Sequence, residues 1–234
     1  MKAWHDLLPV ILTCRANGAR LQALVKECHR VGIFNVNVWY NESQTAKKAD
    51  RVFEGHYDIV RAAYAYRKDV FIIEDDCQFL FDDAGQRILD AHATAVRFKN
   101  WTVLFAGHVP MGPMWRRWDG LYTTSFPYAA HSYILNRERV GNLLRTTPKS
   151  KWKRPWMGEG YLGVPILEKL AVHPALTTQS VLPSDMVQAL RMRSIKNTSL
   201  EVWQAAMHDV WLRDIPLLLL LGLVIYMSGA GKLK

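Results

Sequence analysis

Residues 69–78 read Asp69-Val70-Phe71-Ile72-Ile73-Glu74-Asp75-Asp76-Cys77-Gln78, and this stretch decides the fold. Val70–Ile73 is a continuous apolar run of β-branched and aromatic residues, the pattern of a strand buried on both faces. The run stops at three consecutive acids, Glu74, Asp75 and Asp76. Adjacent carboxylates repel one another and lose solvation when covered, so they are tolerated where water or a cation neutralises them. In open α/β sheets ligands bind beyond the carboxyl ends of the strands. Hard divalent cations take oxygen ligands. The triplet is therefore a candidate cation seat. Its competing reading is a solvated acidic turn after a core strand.

Upstream, Leu7–Leu12 reads as a second buried strand, ending at Thr13-Cys14-Arg15-Ala16-Asn17-Gly18. From Ala19 to Val31 the apolar residues Leu21, Leu24, Val25, Cys28 and Val31 recur at helical spacing. Asn35–Trp39 alternates as a strand. His56–Tyr66 reads as a helix with Ile59, Val60, Ala63 and Tyr64 inward. Strand, helix, strand, helix, strand implies right-handed crossovers and a mostly parallel α/β sheet with helices on both faces. Downstream, Arg87–Phe98 reads as a helix and Trp101–Ala106 as a strand. A loop with Gly107, Pro110, Gly112 and Pro113 leads to Trp115, Trp118 and Tyr122, with Arg116 and Arg117 between the tryptophans. Ala129–Leu135 reads as a strand, Asn136 as the cap of a short helix through Leu144, and Leu170–His173 as a last strand.

The composition narrows the partners. The chain has 234 residues, half of them hydrophobic, enough for one large core or a core with an appendage. A net charge of +9 favours an anionic partner: nucleic acid, an anionic membrane or a phosphorylated substrate. The three cysteines, Cys14, Cys28 and Cys77, lack Cys-x-x-Cys spacing, which argues against a disulfide framework or a cysteine zinc site and fits a reducing compartment. Leu7–Leu12 is too short for a secretory core and follows Asp6, so no signal peptide is expected.

The C-terminal stretch reads separately, dividing the chain into a domain over 1–197 and an appendage over 198–234. Thr198-Ser199-Leu200-Glu201 has capping-box spacing. Leu200, Trp203, Met207, Val210 and Trp211 form a helical stripe, and the uncharged segment Ile215–Ala230 follows. As a helix that segment is about 24 Å long, against about 30 Å of hydrocarbon core. Trp211 and Lys232 suit the interfaces. A C-terminal hydrophobic helix that anchors the chain to a membrane is the expectation; a helix packed on the domain is the alternative.

Several patches resemble glycosyltransferase family 25, the lipooligosaccharide-type transferases of the Rossmann-like GT-A fold. Gly55-His56 leading to Glu74-Asp75-Asp76 resembles the family's Ser-His helix opening and Glu-Asp-Asp strand end, with glycine in place of serine. Tyr128–Leu144, which includes Tyr133-Ile134-Leu135, and Leu170–Gln179, which includes Val172-His173-Pro174, resemble later segments. The similarity covers residues 7–180 in patches.

The resemblance implies transfer of a sugar from a nucleotide-diphosphate donor, a UDP-sugar, to a saccharide or glycolipid acceptor, as in lipopolysaccharide biosynthesis. It implies a metal at Asp76, with Glu74 near the ribose or binding the metal through water, and His173 as a further ligand. Carboxylate-rich ligation points to Mn2+ or Mg2+. Asp75 points to the other side of the strand, where it orients backbone or a basic neighbour, and it stands with Glu74 among the candidate cofactor contacts. Thr13, Arg15 and Asn17 are candidates for nucleotide contacts, Arg15 by charge-assisted hydrogen bonds to phosphate, and Glu42 for the ribose or base. If the reaction inverts the anomeric centre, a carboxylate takes the acceptor proton; Glu159 is the candidate and Asp119 the fallback. Trp115, Trp118 and Trp156 offer flat faces to a sugar. No nucleic-acid partner is expected. Readings from other classes are a metal-dependent nuclease, which needs further acids on neighbouring strands, and a non-catalytic membrane adaptor.

Arg191, Arg193 and Lys196 precede the amphipathic stripe and each adds roughly 1 kcal/mol of attraction to an anionic leaflet. The catalytic part is expected to face the cytoplasm. In fractionation the full chain should pellet with membranes and resist high salt, and a chain cut after Asp209 should be soluble and folded. Release of the full chain by salt alone would reduce the tail to an electrostatic contact.

Overall fold

The computed structural model describes residues 4–13, 18–41, 48–65, 68–110, 114–124, 127–140 and 168–179. The expected tail helices, and the candidates Arg15, Asn17, Glu42, Trp156 and Glu159, lie outside these residues. Among the described residues no helix is long and apolar enough to cross a membrane.

The first half follows the expected alternation: β1 (Leu7–Thr13), α1 (Gly18–Arg30), β2 (Asn37–Tyr40), α2 (Lys48–Ala63) and β3 (Asp69–Glu74). A short strand β4 (Cys77–Phe79) follows the acids, then α3 (Ala84–Arg97) and β5 (Val103–Pro110). The chain continues through β6 (Met114–Trp118), β7 (Leu121–Thr124), β8 (Pro127–Leu135), β9 (Lys169–Val172) and β10 (Thr177–Gln179). Eight strands form one sheet in the order β2-β1-β3-β8-β5-β9-β7-β6, and β10 pairs with β4 in a small second sheet.

The sheet is mixed rather than mostly parallel in its pairings. β1 lies parallel to β2 and β3, and β5 to β9, as crossovers require. β8 inserts antiparallel between β3 and β5, and β7 runs against both β9 and β6. The strand–helix alternation forced the parallel part, whereas β5, β6, β7 and β8 follow one another with no described helix between them, and β6, β7 and β8 pair antiparallel with their neighbours.

The pleat of β3 divides the core. Phe71 and Ile73 enter one apolar cluster with Leu24 and Cys28 of α1 and Ile88 and Leu89 of α3. Val70 and Ile72 enter the other, with Ile59, Val60 and Ala63 of α2. Successive side chains of a strand point to opposite faces, so the continuous apolar run is what a strand covered on both faces needs. Cys28 and Cys77 are buried free thiols; burial pushes Cys28 up to about 12, so it is an inert packing group.

Three local expectations change. α2 begins at Lys48, well before His56, and ends at Ala63; Tyr64 lies past its end and is exposed. The strand expected over Trp101–Ala106 runs on to Pro110, through register shifts that let it bend. The aromatic-rich loop is a hairpin, β6–β7. Asp119-Gly120 makes its turn, with Gly120 at φ 70°, a left-handed conformation that glycine adopts freely. An Asp-Gly pair is a hairpin signal; the absence of clean alternation in Trp115-Arg116-Arg117-Trp118 masked it. Elsewhere Asn136 caps a helical turn as expected, its Oδ1 accepting the Glu138 N–H at 2.9 Å.

Gly85, in the first turn of α3, is pressed against the end of α1. A Cβ there would lie 2.0 Å from the Val31 carbonyl oxygen, a backbone atom that cannot rotate away. Gly85→Ala should cost roughly 1–3 kcal/mol by overpacking. Gly18→Ala, with no described residue within 4 Å of the added carbon, should leave the denaturant midpoint nearly unchanged. Equal midpoints for the two variants would contradict this packing.

Candidate functional site

The three acids sit where β3 leaves the sheet and turns into β4, and each carboxylate has a different surrounding. The pleat sends Glu74 toward α2 and Asp75 toward α1. Asp75 is held there by a hydrogen bond from the Thr13 hydroxyl to its Oδ2 at 2.6 Å, with Arg20 Nη1 of α1 3.6 Å from Oδ1. Thr13, expected to touch a nucleotide, thus serves Asp75. Asp75 in turn binds the end of β1 and the first turn of α1 to the acidic turn.

On the other face, His56 Nε2 lies 2.7 Å from Glu74 Oε1, and His56 Nδ1 lies 2.6 Å from the Tyr133 hydroxyl. His56 and Tyr133 are buried. Burial lowers His56 to about 4 and raises Glu74 to about 8, the latter aided by repulsion from Asp75. Both shifts favour the neutral pair, in which Glu74 O–H donates to Nε2 and Nδ1–H donates to the tyrosine oxygen. When Glu74 ionises, the ring proton moves to Nε2 and the Tyr133 O–H donates to Nδ1. The His56–Glu74 and His56–Tyr133 hydrogen bonds are kept in both states.

Asp76 is different. It is only 6% exposed, and its Oδ1 is buried with no hydrogen-bond partner among the described residues. Burial first, then the Glu74 and Asp75 carboxylates, push it up to about 7. A buried acceptor left unpaired costs about 1–3 kcal/mol, so this oxygen favours the arrival of a proton donor or a cation.

His173 follows β9 at the same end of the sheet. It stands three strand spacings from β3 in the order β3-β8-β5-β9, roughly 14 Å at ~4.8 Å each. Its ring meets Tyr122 edge-on at 5.3 Å, and its backbone N–H donates to the Gly120 carbonyl at 3.1 Å. Among the described residues no three His, Cys, Asp or Glu side chains come together as a set that could hold a metal ion. Asp76, Glu74 and His173 are therefore not a ready-made ligand set, because the antiparallel β8 and then β5 lie between β3 and β9. Asp119 stands farther still, at the exposed tip of the β6–β7 hairpin, where it pairs with Arg116 at 3.0 Å. That location does not suit a base expected beside the acids. Trp115 is exposed on the same hairpin, and Trp118 stacks on Phe98.

Sequence reasoning missed Arg20, and it noted His56 and Tyr133 only as parts of a resemblance. No spacing joins residues 56, 74 and 133; only the sheet order β3-β8 and the crossover helix α2 do. Gly55, which replaces the serine, lies where a Cβ would stand 2.8 Å from Asn41 Nδ2 and 3.0 Å from Leu12 Cδ1.

A separate cleft of about 690 Å³ opens at the opposite end of the sheet, lined by Asp6, Asp69, His92, Trp101 and Arg137 among others. Its inward carboxylate, Asp69, accepts from His92 Nε2 at 2.7 Å and from the Arg137 N–H at 2.8 Å. That carboxylate is engaged in joining α3 and the turn after β8 to the start of β3. The strand-end acids, with an unpaired buried oxygen, are the better candidate despite the roomier cleft.

No protein-family model matches the sequence, and neither does any curated protein sequence. Among solved structures the chain is similar to a glycosyltransferase involved in the glycosylation of the major capsid of PBCV-1. That match has 12% identity and a TM-score of 0.49, covering 81% of this chain and 99% of that one. It is also similar to a CMP:2-keto-3-deoxy-manno-octonic acid synthetase complexed with CTP, at 8% identity and a TM-score of 0.47, covering 81% and 100%. A third is a mannose-1-phosphate geranyltransferase from Thermus thermophilus, at 11% identity and a TM-score of 0.37, covering 71% and 73%. The likenesses are loose, and the chemistry rests on this chain's own residues.

The acids make stability depend on pH. Asp76 and Glu74 have folded values above their ordinary ones, so the folded state holds protons that the unfolded chain has released, and stability falls as pH rises toward 8. His56 acts oppositely: its lowered value costs stability as pH drops below about 6.5. Between pH 6.5 and 8 the acids dominate. Without ligand or divalent cation, the protein should lose on the order of 1–3 kcal/mol across that window. Asp76→Asn should flatten the slope and raise stability at pH 8. A wild-type chemical-denaturation profile that rises with pH across this window would contradict the assignment.

Proposed function

We propose that this chain is a glycosyltransferase of the GT-A fold that moves a sugar from a nucleotide-diphosphate donor, a UDP-sugar, to a saccharide or glycolipid acceptor. The observation that carries the proposal is the unpaired, buried Asp76 oxygen at the carboxyl end of a central strand, flanked by two carboxylates that are already engaged. A structural turn has no use for an acceptor left bare in this way. A divalent cation, Mn2+ or Mg2+, fits it by charge and by oxygen-donor chemistry. Such ions are commonly held by one or two carboxylates together with substrate phosphates, so Asp76 with Glu74 is a sufficient protein share. The absence of a three-ligand protein cluster among the described residues is in keeping with that mode.

When bound, the cation supplies a positive charge that stabilises the diphosphate as it leaves. The protein's own residues do the rest. Asp76 presents a buried acceptor oxygen that pairing with the cation would satisfy. Glu74, 23% exposed at its side chain, has one carboxylate oxygen committed to His56, which leaves the other for the donor in this reading. Asp75, Thr13 and Arg20 hold the acidic turn against the end of β1, where the nucleotide lies in this reading. In the inverting case Glu159 remains the proposed base. The proposed membrane tail would place the site near a lipid-linked acceptor.

The test is a thermal-shift screen of the full chain with nucleotide sugars, with and without manganese, followed by turnover measurements. A donor that binds the folded state alone raises the melting temperature by mass action. Asp76→Asn should keep the fold and slow turnover by about a hundredfold, the effect of losing roughly 3 kcal/mol of leaving-group stabilisation. Turnover of that variant within threefold of wild type would sink the assignment.

A further inference from the structure

We propose that His56 and Tyr133 form a positioning relay that fixes the rotamer of Glu74 and thereby sets which of its oxygens faces the donor nucleotide. The inference rests on the transferase reading above and concerns residues that this reading leaves without a task.

The geometry is continuous. Tyr133 comes from β8, the strand directly beside β3, paired across from Ile72. His56 comes from α2, the helix that crosses over that face of the sheet, and lies between the tyrosine and the acid. Its two ring nitrogens make hydrogen bonds of 2.6 and 2.7 Å to Tyr133 and Glu74. The two rings stack at 5.8 Å and 22°, and Tyr133 leans on Phe105 at 6.1 Å. Stacking and burial fix where the Tyr133 hydroxyl oxygen stands, so the imidazole is held in place and in turn fixes Glu74 Oε1. Among the described residues Glu74 makes no other side-chain hydrogen bond. Its second oxygen is therefore available to a ligand. A carboxylate at a strand end with no such support would rotate between the sheet and its neighbour Asp75. Groups that must meet a ligand within a fraction of an ångström are held by supporting hydrogen bonds of this kind.

A relay that acts through Glu74 loses its value when Glu74 no longer serves, and a double-mutant cycle reads this directly. Tyr133→Phe removes the hydroxyl and keeps the stacked ring, so folding is preserved. The cycle uses full-length wild type, Tyr133→Phe, Glu74→Gln and the double variant. Each is titrated with UDP in the presence of manganese by calorimetry, and each is melted. Tyr133→Phe should weaken UDP binding about tenfold in the wild-type background and less than twofold in the Glu74→Gln background. An equal loss in both backgrounds, no loss in either, or a lowered melting temperature with unchanged affinity would overturn the relay and leave the transferase reading standing. Absence of any UDP response in the wild type would overturn the UDP-sugar reading and the relay with it.

Discussion

Three carboxylates in a row at the end of a strand buried on both faces set a problem that the rest of the architecture answers. Each charge loses solvation, and each repels the next. The pleat separates them: Glu74 goes to the α2 face and Asp75 to the α1 face. Asp75 receives a hydroxyl and a guanidinium, from Thr13 and Arg20. Glu74 receives an imidazole backed by a phenol. Among the described residues, nothing donates to Asp76 Oδ1. Two supported acids and a third with one unpaired oxygen are what a site needs if its own framework is to be rigid and its ligand is to come from outside.

The same constraint links the fold's two halves. Thr13 ends β1, Arg20 opens α1, His56 lies in α2 and Tyr133 in β8, so four elements meet at the acids from both faces of the sheet. β8 contributes because it runs antiparallel between β3 and β5, which brings a residue distant in sequence next to the central strand. β10 pairs with β4 immediately after the acids, so the short strand after the turn is also tied down. The acidic cluster is an electrostatic cost that the surrounding core carries, as is common where function and stability compete.

The apolar clusters show how much of this was legible in the chain. The periodicity of Leu21, Leu24, Val25, Cys28 and Val31 gave α1 to within a residue of each end, because an amphipathic helix writes its burial into its spacing. The runs Leu7–Leu12 and Val70–Ile73 did the same for β1 and β3. The β6–β7 hairpin was not legible in that way. It lies at the sheet edge, where one side is open to solvent and an irregular register breaks the alternation, so only the Asp-Gly turn marked it. The downstream strands were read as segments without an order, since nothing in a strand's own residues says whether its partner runs with it or against it.

The sequence by itself determined the helix–strand alternation of the first half, the two-faced burial of β3 and the place where its apolar run meets three acids. Those are local properties, set by periodicity and by the solvation cost of charge. Tertiary structure alone decided how the acids are used. Pairing across the sheet placed Tyr133 beside β3 and put His173 three strands away. The crossover of α2 laid His56 between Tyr133 and Glu74. Whether a carboxylate is supported or bare depends on which distant side chains the fold brings within about 3 Å of it. Contacts of that kind carry no signature in spacing along the chain.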